Sequence, residues 1–216
     1  IAAPEGERYA VLFSYAEGVK IQNYSPALHY KIGQLMAELH QTTIGLTQKR
    51  STYNATTLID DSLDYIKEFL SPEDEEMKFL LDLAPFLKKQ LNASPSENIR
   101  TGIVHLDIWF DNLNITADEN ITVFDFDFCG NGWLCLDLAY YIMQVYSTEK
   151  DPNEQRLKIE HFITGYESKQ SITPEKKELL PLLGICLYYL YLGVQCKRFD
   201  NWSNTFLNRT YLKRYI

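Results

Sequence analysis

Apolar residues recur at helical spacing over most of the chain. In SPALHYKIGQLMAELH (25–40), Leu28, Ile32, Leu35, Met36 and Leu39 share one face behind Ser25 as N-cap and Pro26 at the first helical position, which predicts an amphipathic helix. A second helix is predicted over TLIDDSLDYIKEFL (57–70). A third, over 71–91, opens with Ser71, Pro72 and Asp74 in a capping-box arrangement and is expected to kink or divide at Pro85. The helical period returns over 134–146, 153–167, 174–199 and 203–216. Between these blocks the pattern shortens. IRTGIVHLD, NLNIT and ITVFDFD (99–127) are short β-branched runs, and ADEN (117–120) has turn chemistry, which predicts a strand, a loop and then a hairpin whose strands begin at Asn112 and end at Asp125. A further strand is predicted over ERYAVLFSYAEG (7–18), which needs a sheet to join. The expected class is α+β, predominantly helical, with one small β insert and no internal repeat.

Composition narrows the partner. A 45% hydrophobic content over 216 residues supports a real core rather than disorder. With 29 acidic against 21 basic residues the net charge is −8, which argues against a nucleic-acid partner and favours a small cationic or neutral one. The four cysteines, Cys129, Cys135, Cys186 and Cys196, have no zinc spacing and read as reduced thiols of a cytoplasmic protein, with a Cys129–Cys135 disulfide as the alternative. The apolar stretch 179–194 falls short of the roughly 20 residues of a membrane span and is expected to be a core helix, its Tyr-rich part included; no membrane partner and no signal peptide are expected. The acidic run 73–76 reads as a dipole-matched first turn, with attraction of a cationic substrate as the alternative. His29, His40 and His161 fall on helices with no matched acidic partner in the sequence and read as packing or surface residues.

The chemistry concentrates in IVHLDIWFDNLNI (103–115) and VFDFDFCGNGW (123–133). A hairpin running from Asn112 to Asp125 brings those two side chains together, while Asp107 lies in the loop feeding the first strand. Two carboxylates and an amide then converge as hard oxygen ligands of the kind Mg²⁺ accepts, and a metal carried on phosphates is the mark of phosphoryl transfer. The spacing His105-x-Asp107-x-x-x-x-Asn112 followed by Asp125 at a strand end matches the kinase catalytic arrangement. In that scheme Asp107 accepts or orients the proton of the attacking hydroxyl, Asn112 and Asp125 hold Mg²⁺ on the nucleotide, and His105 supports the loop. Singly, each of these Asp and Asn residues would read as a turn cap.

Together with the continuation Asp137, Leu138, Ala139, these motifs resemble the aminoglycoside phosphotransferase and choline kinase superfamily, the small-molecule branch of the protein-kinase-like fold. The resemblance covers about residues 9–145. It implies the C-terminal lobe of that fold, with ATP and Mg²⁺ as cofactors, backbone groups at Ser14, Tyr15 and Ala16 meeting adenine, Asp127 as a further metal acid, and Asp137 bracing the catalytic loop. Residues 1–18 would be the hinge strand and linker from an N-terminal lobe, and 19–216 the helical lobe itself.

The motifs also depart from protein kinases. Asp-Phe-Gly is Asp125-Phe126-Asp127 here, and the lysine two residues after the catalytic aspartate is Trp109, which either stacks on a substrate or fills the apolar underside of the loop. Small hydroxyl compounds, aminoglycosides, choline-like amines or homoserine, are therefore expected as acceptors rather than proteins. A Gly-rich loop and a phosphate-binding Lys do not fit before residue 9, so they are expected on a preceding lobe, without which transfer would be poor. The competing reading is a kinase-like module that binds a nucleotide or partner without chemistry.

Overall fold

The computed structural model describes residues 2–3, 6–7, 12–93, 99–198 and 208–216. Seven α-helices dominate them: α1 (Pro26–Thr43), α2 (Asp61–Ile66), α3 (Glu75–Ala93), α4 (Cys135–Thr148), α5 (Pro152–Glu167), α6 (Pro174–Lys197) and α7 (Arg209–Tyr215). Six short strands form three antiparallel pairs: β1 (Ala2–Ala3) with β2 (Gly6–Glu7), β3 (Thr101–Val104) with β6 (Gly130–Trp133), and β4 (Leu113–Ile115) with β5 (Ile121–Val123).

The helix starts follow their caps. Ser25 Oγ accepts the Leu28 amide at 3.2 Å and Pro26 opens α1, which continues to Thr43. The second predicted helix begins instead as a π-helical stretch, Thr56–Asp60, at whose start Asn54 Oδ1 accepts the amides of Thr56 and Thr57; its α-helical part ends at Ile66. α3 begins at Glu75, four residues late, since Asp74 Oδ2 folds back onto the Ser71 amide (2.9 Å). It runs unbroken through Pro85, which lies on the exposed face where solvent can satisfy the carbonyl four residues earlier.

α1 and α5 cross at two glycines. A Cβ on Gly33 would lie 2.1 Å from the Phe162 carbonyl oxygen, and one on Gly165 would lie 2.0 Å from that of Tyr30. α4 is central: Cys135 to Tyr141 are all buried, so every polar group among them needs an internal partner. α6 is long and apolar enough to cross a membrane by length and composition; 56% of its most apolar window is buried, with Leu183, Leu187 and Leu192 fully inside.

Two strand expectations are corrected. Residues 12–17 form no strand: Leu12, Phe13 and Tyr15 are exposed, and backbone pairing begins only at Val19, which exchanges two 3.0 Å hydrogen bonds with Ile115. Residues 8–11, and 203–207 of the last predicted helix, lie outside the described residues. Gly130–Trp133, beyond the predicted hairpin and not expected as a strand, is strand β6. Gly130 is required there, because a Cβ would meet the Ser51 carbonyl at 2.6 Å, and Gly102 of the paired β3 likewise, where a Cβ would meet that of Thr43 at 2.5 Å. All four cysteines are free thiols, Cys129 and Cys135 included.

Candidate active site

The loop between β3 and β4 carries His105, Asp107 and Asn112. Its conformation is costly, since Leu106 has φ +58°, a region that a bulky side chain enters at about 1–2 kcal/mol. Neighbouring helices hold it there. Asp137 on α4 accepts the His105 amide (3.0 Å to Oδ2) and the Leu106 amide (2.6 Å to Oδ1), and the Tyr191 hydroxyl of α6 donates to the Leu106 carbonyl. His40 on α1 donates from Nε2 to Asp137 Oδ2 at 3.0 Å, with Tyr166 bonded to its other nitrogen at 2.8 Å. His40 therefore has an acidic partner, contrary to the sequence reading, and both groups are almost fully buried.

Asp107 lies at the centre of the site. Asn112 Nδ2 donates to its Oδ2 at 2.7 Å and to its backbone carbonyl at 2.9 Å, while the Tyr140 hydroxyl of α4 donates to its Oδ1 at 2.7 Å. Burial raises the Asp107 pKa above the ordinary carboxylate value, and the Tyr140 and Asn112 donors work in the opposite direction. The Asp107 amide donates to His105 Nδ1 at 3.2 Å, which leaves the neutral ring's proton on Nε2; burial lowers the His105 pKa accordingly. The His105 ring packs 5.0 Å from that of Phe126. Asn112 closes a 3-10 turn, Phe110–Asn112, so its backbone leads directly into β4, and its carbonyl accepts the Phe124 amide across the hairpin.

Asp125 follows β5 in the left-handed region, φ +65°, which Asp tolerates better than most residues, and stands exposed. Its Oδ1 accepts the Asp127 amide at 3.3 Å. Arg50 clamps the segment by donating to the carbonyls of Phe126 (2.9 Å) and Asp127 (2.6 Å), and the Tyr53 hydroxyl donates to that of Phe128. Asp127 lines a cavity of about 400 Å³ with Asp61, Ser62, Tyr65, Lys197 and Arg198. Among the described residues no group of three His, Cys, Asp or Glu side chains is placed to hold a metal. The hard-oxygen pair of Asn112, whose nitrogen is committed to Asp107 and whose Oδ1 remains an acceptor, and Asp125 still fits a Mg²⁺ that draws its other ligands from phosphate and water.

Ser14 and Tyr15 are exposed, and the Ala16 carbonyl accepts Asn114 Nδ2 of β4 at 2.9 Å, which ties this segment to the hairpin carrying Asn112. Gly18, at φ +98°, allows the approach: a Cβ there would be 2.5 Å from the Ile115 carbonyl. Trp109 packs edge-on against Phe110 at 4.5 Å. Sequence reasoning missed Tyr140, Tyr191, His40, Arg50 and Tyr53. A polar hydroxyl one helical turn after Asp137, in the otherwise apolar run of α4, was the available signal for Tyr140.

Residues 2–170 match the family model described as the phosphotransferase enzyme family, APH. An uncharacterized protein of Synechocystis, sll1119, is 32% identical over the whole of this chain and 60% of its own length; homoserine kinase of Sinorhizobium medicae is 27% identical over 82% of this chain and 53% of its own. The chain thus spans little more than half the length of these relatives. Amicoumacin kinase in complex with AMP-PNP, Ca²⁺ and Ami superposes with a TM-score of 0.70 at 20% identity, covering 93% of this chain and 61% of that one. The microcompartment-associated aminopropanol kinase gives 0.67 at 22%, covering 88% and 59%. These structural likenesses show a shared kinase-like fold, predominantly helical in this chain. With the family match covering most of its residues, the chain belongs to the phosphotransferase enzyme family.

Proposed function

We propose that this chain is the catalytic lobe of an ATP- and Mg²⁺-dependent phosphotransferase acting on the hydroxyl of a small molecule, completed by an N-terminal lobe. The observation that carries the reading is the Asp107 carboxylate, held by Asn112 on one oxygen and Tyr140 on the other at the mouth of the β4–β5 hairpin. In the reaction the acceptor oxygen bonds to the γ-phosphorus as the bond to the β–γ bridging oxygen breaks, and the hydroxyl proton passes to Asp107. Asn112 Oδ1 and Asp125 would hold Mg²⁺, which neutralises charge on the phosphates. Asp127, which also lines the cavity beside Asp61, is kept as a further acid for the metal, and the exposed backbone at Ser14 and Tyr15 is left for adenine.

A cavity lined by both acids, Asp61 and Asp127, and bases, Lys197 and Arg198, suits an acceptor that carries both an ammonium and a carboxylate group, rather than a plain amine. Homoserine, the substrate of several relatives, is such a hydroxyl amino acid. The test is a transfer assay on the full-length protein with γ-labelled ATP, Mg²⁺ and a panel of hydroxyl amino acids, amino alcohols and aminoglycosides. Labelled product from the unmutated protein and none from Asp107→Asn supports the reading. Equal labelling by both refutes the role of Asp107.

A further inference from the structure

We propose that Tyr140 is a positioning residue that fixes the orientation of the Asp107 carboxylate through its hydroxyl; the inference rests on the phosphotransferase reading. Tyr140 follows Asp137 by one helical turn, so both side chains leave the same face of α4. From that face Asp137 takes the amides of His105 and Leu106, and Tyr140 takes the carboxylate of Asp107 at 2.7 Å. One turn of helix therefore grips three consecutive residues of the loop. The grip on the third differs in kind, because it falls on a side chain. Asn112 holds Oδ2 at 2.7 Å, and Tyr140 on Oδ1 removes the remaining rotation about the carboxylate bond.

The phenol itself is immobilised. Tyr140 is 2% exposed, and its ring lies 5.3 Å from that of Tyr191, whose hydroxyl is spent on the Leu106 carbonyl. Tyr141, the next residue, supplies an internal contrast. It is equally buried but leaves α4 in another direction, stacked on Phe162 at 4.1 Å with its hydroxyl 2.9 Å from His29. Two adjacent tyrosines of the same burial thus separate the effect of losing a buried hydroxyl from the effect of releasing Asp107.

The experiment compares Tyr140→Phe and Tyr141→Phe in the full-length protein, each alone and in the Asp107→Asn background, with steady-state transfer and nucleotide binding measured. For Tyr140→Phe, kcat is expected to fall about tenfold with the KM for ATP unchanged, the size of one charge-assisted hydrogen bond expressed in the transition state. Tyr141→Phe leaves kcat unchanged. Adding Tyr140→Phe to Asp107→Asn produces no further loss, since the group it positions is already disabled. Para-aminophenylalanine at position 140 retains a donor and restores the rate; it also serves as the reference if the Phe chain does not fold, in which case substitution by para-fluorophenylalanine removes the donor while filling the space. The inference is overturned if a donor-free chain keeps its kcat, or if its loss adds fully to that of Asp107→Asn. An unmutated protein that binds Mg²⁺-ATP but transfers phosphate to no acceptor overturns the phosphotransferase reading, and this inference with it.

Discussion

The Leu106 amide lies 2.6 Å from the Asp137 carboxylate while its own backbone sits at φ +58°, so an aspartate on a distant helix holds a leucine in a conformation it would not choose. Removing that acceptor leaves two loop amides and the His40 ring without their shared partner in a dry site. Asp137→Ala is expected to cost about 3–5 kcal/mol of unfolding free energy, read from urea denaturation, and to reduce turnover in parallel as the loop relaxes. Asp137→Asn should fall between, because its amide oxygen still accepts but carries no charge.

Asp107 and Asp125 should separate kinetically. Asp107→Asn is expected to lower kcat by about a hundredfold or more while nucleotide affinity stays nearly intact, because the base acts only in the transfer step. Asp125→Ala should weaken Mg²⁺-nucleotide binding by about tenfold or more, which is about 1.4 kcal/mol, and titration calorimetry with Mg²⁺-ATP measures it directly. Equal binding losses in the two variants would contradict the division of roles.

His29 makes stability depend on pH. Burial, assisted by the positive groups of Lys158 and His161 on α5, pushes its pKa down to about 4 from 6.5, while Tyr24 and Tyr141 enclose the ring. The unfolded chain then binds a proton that the folded chain refuses. Unfolding free energy should therefore be complete above about pH 6.5 and fall as pH drops toward 4, with a total loss of about 3 kcal/mol from this group. In His29→Gln that part of the slope disappears, which thermal melts from pH 4 to 7 resolve.

At the α1–α5 crossing, Gly33→Ala and Gly165→Ala each force a methyl group into a facing carbonyl. Each is expected to destabilise by about 2–3 kcal/mol, and the pair by less than the sum, since the first substitution already separates the helices. Chemical denaturation of the two single variants and the double variant tests both statements.

What the sequence made legible is local. Ser25 and Pro26 announce α1, and the spacing from His105 to Asn112 places the chemistry on one loop, because caps and motif spacing are properties of neighbouring residues. β6 escaped notice because GNGW has low strand propensity and its partner, β3, ends 26 residues earlier; only the close approach of Ser51 explains Gly130. His40 and Tyr140 escaped for a related reason. Helical period reports that a side chain faces inward, but the carboxylate it meets belongs to a helix 97 residues away or a loop 33 residues away. Pro85 does not divide α3, since its effect on a helix depends on which face carries it.

Gly18 and Val19 join the exposed segment 12–17 to the first strand of the hairpin by two backbone hydrogen bonds, and Asn114 secures the Ala16 carbonyl two residues upstream. The two ends of a bound nucleotide would thus be read from a single woven piece of backbone, its ring by the segment before Gly18 and its phosphates by the far ends of β4 and β5. Such a unit works as a fixed ruler. With a nucleotide bound as proposed, it would hold the ring-facing and phosphate-facing ends at one fixed spacing.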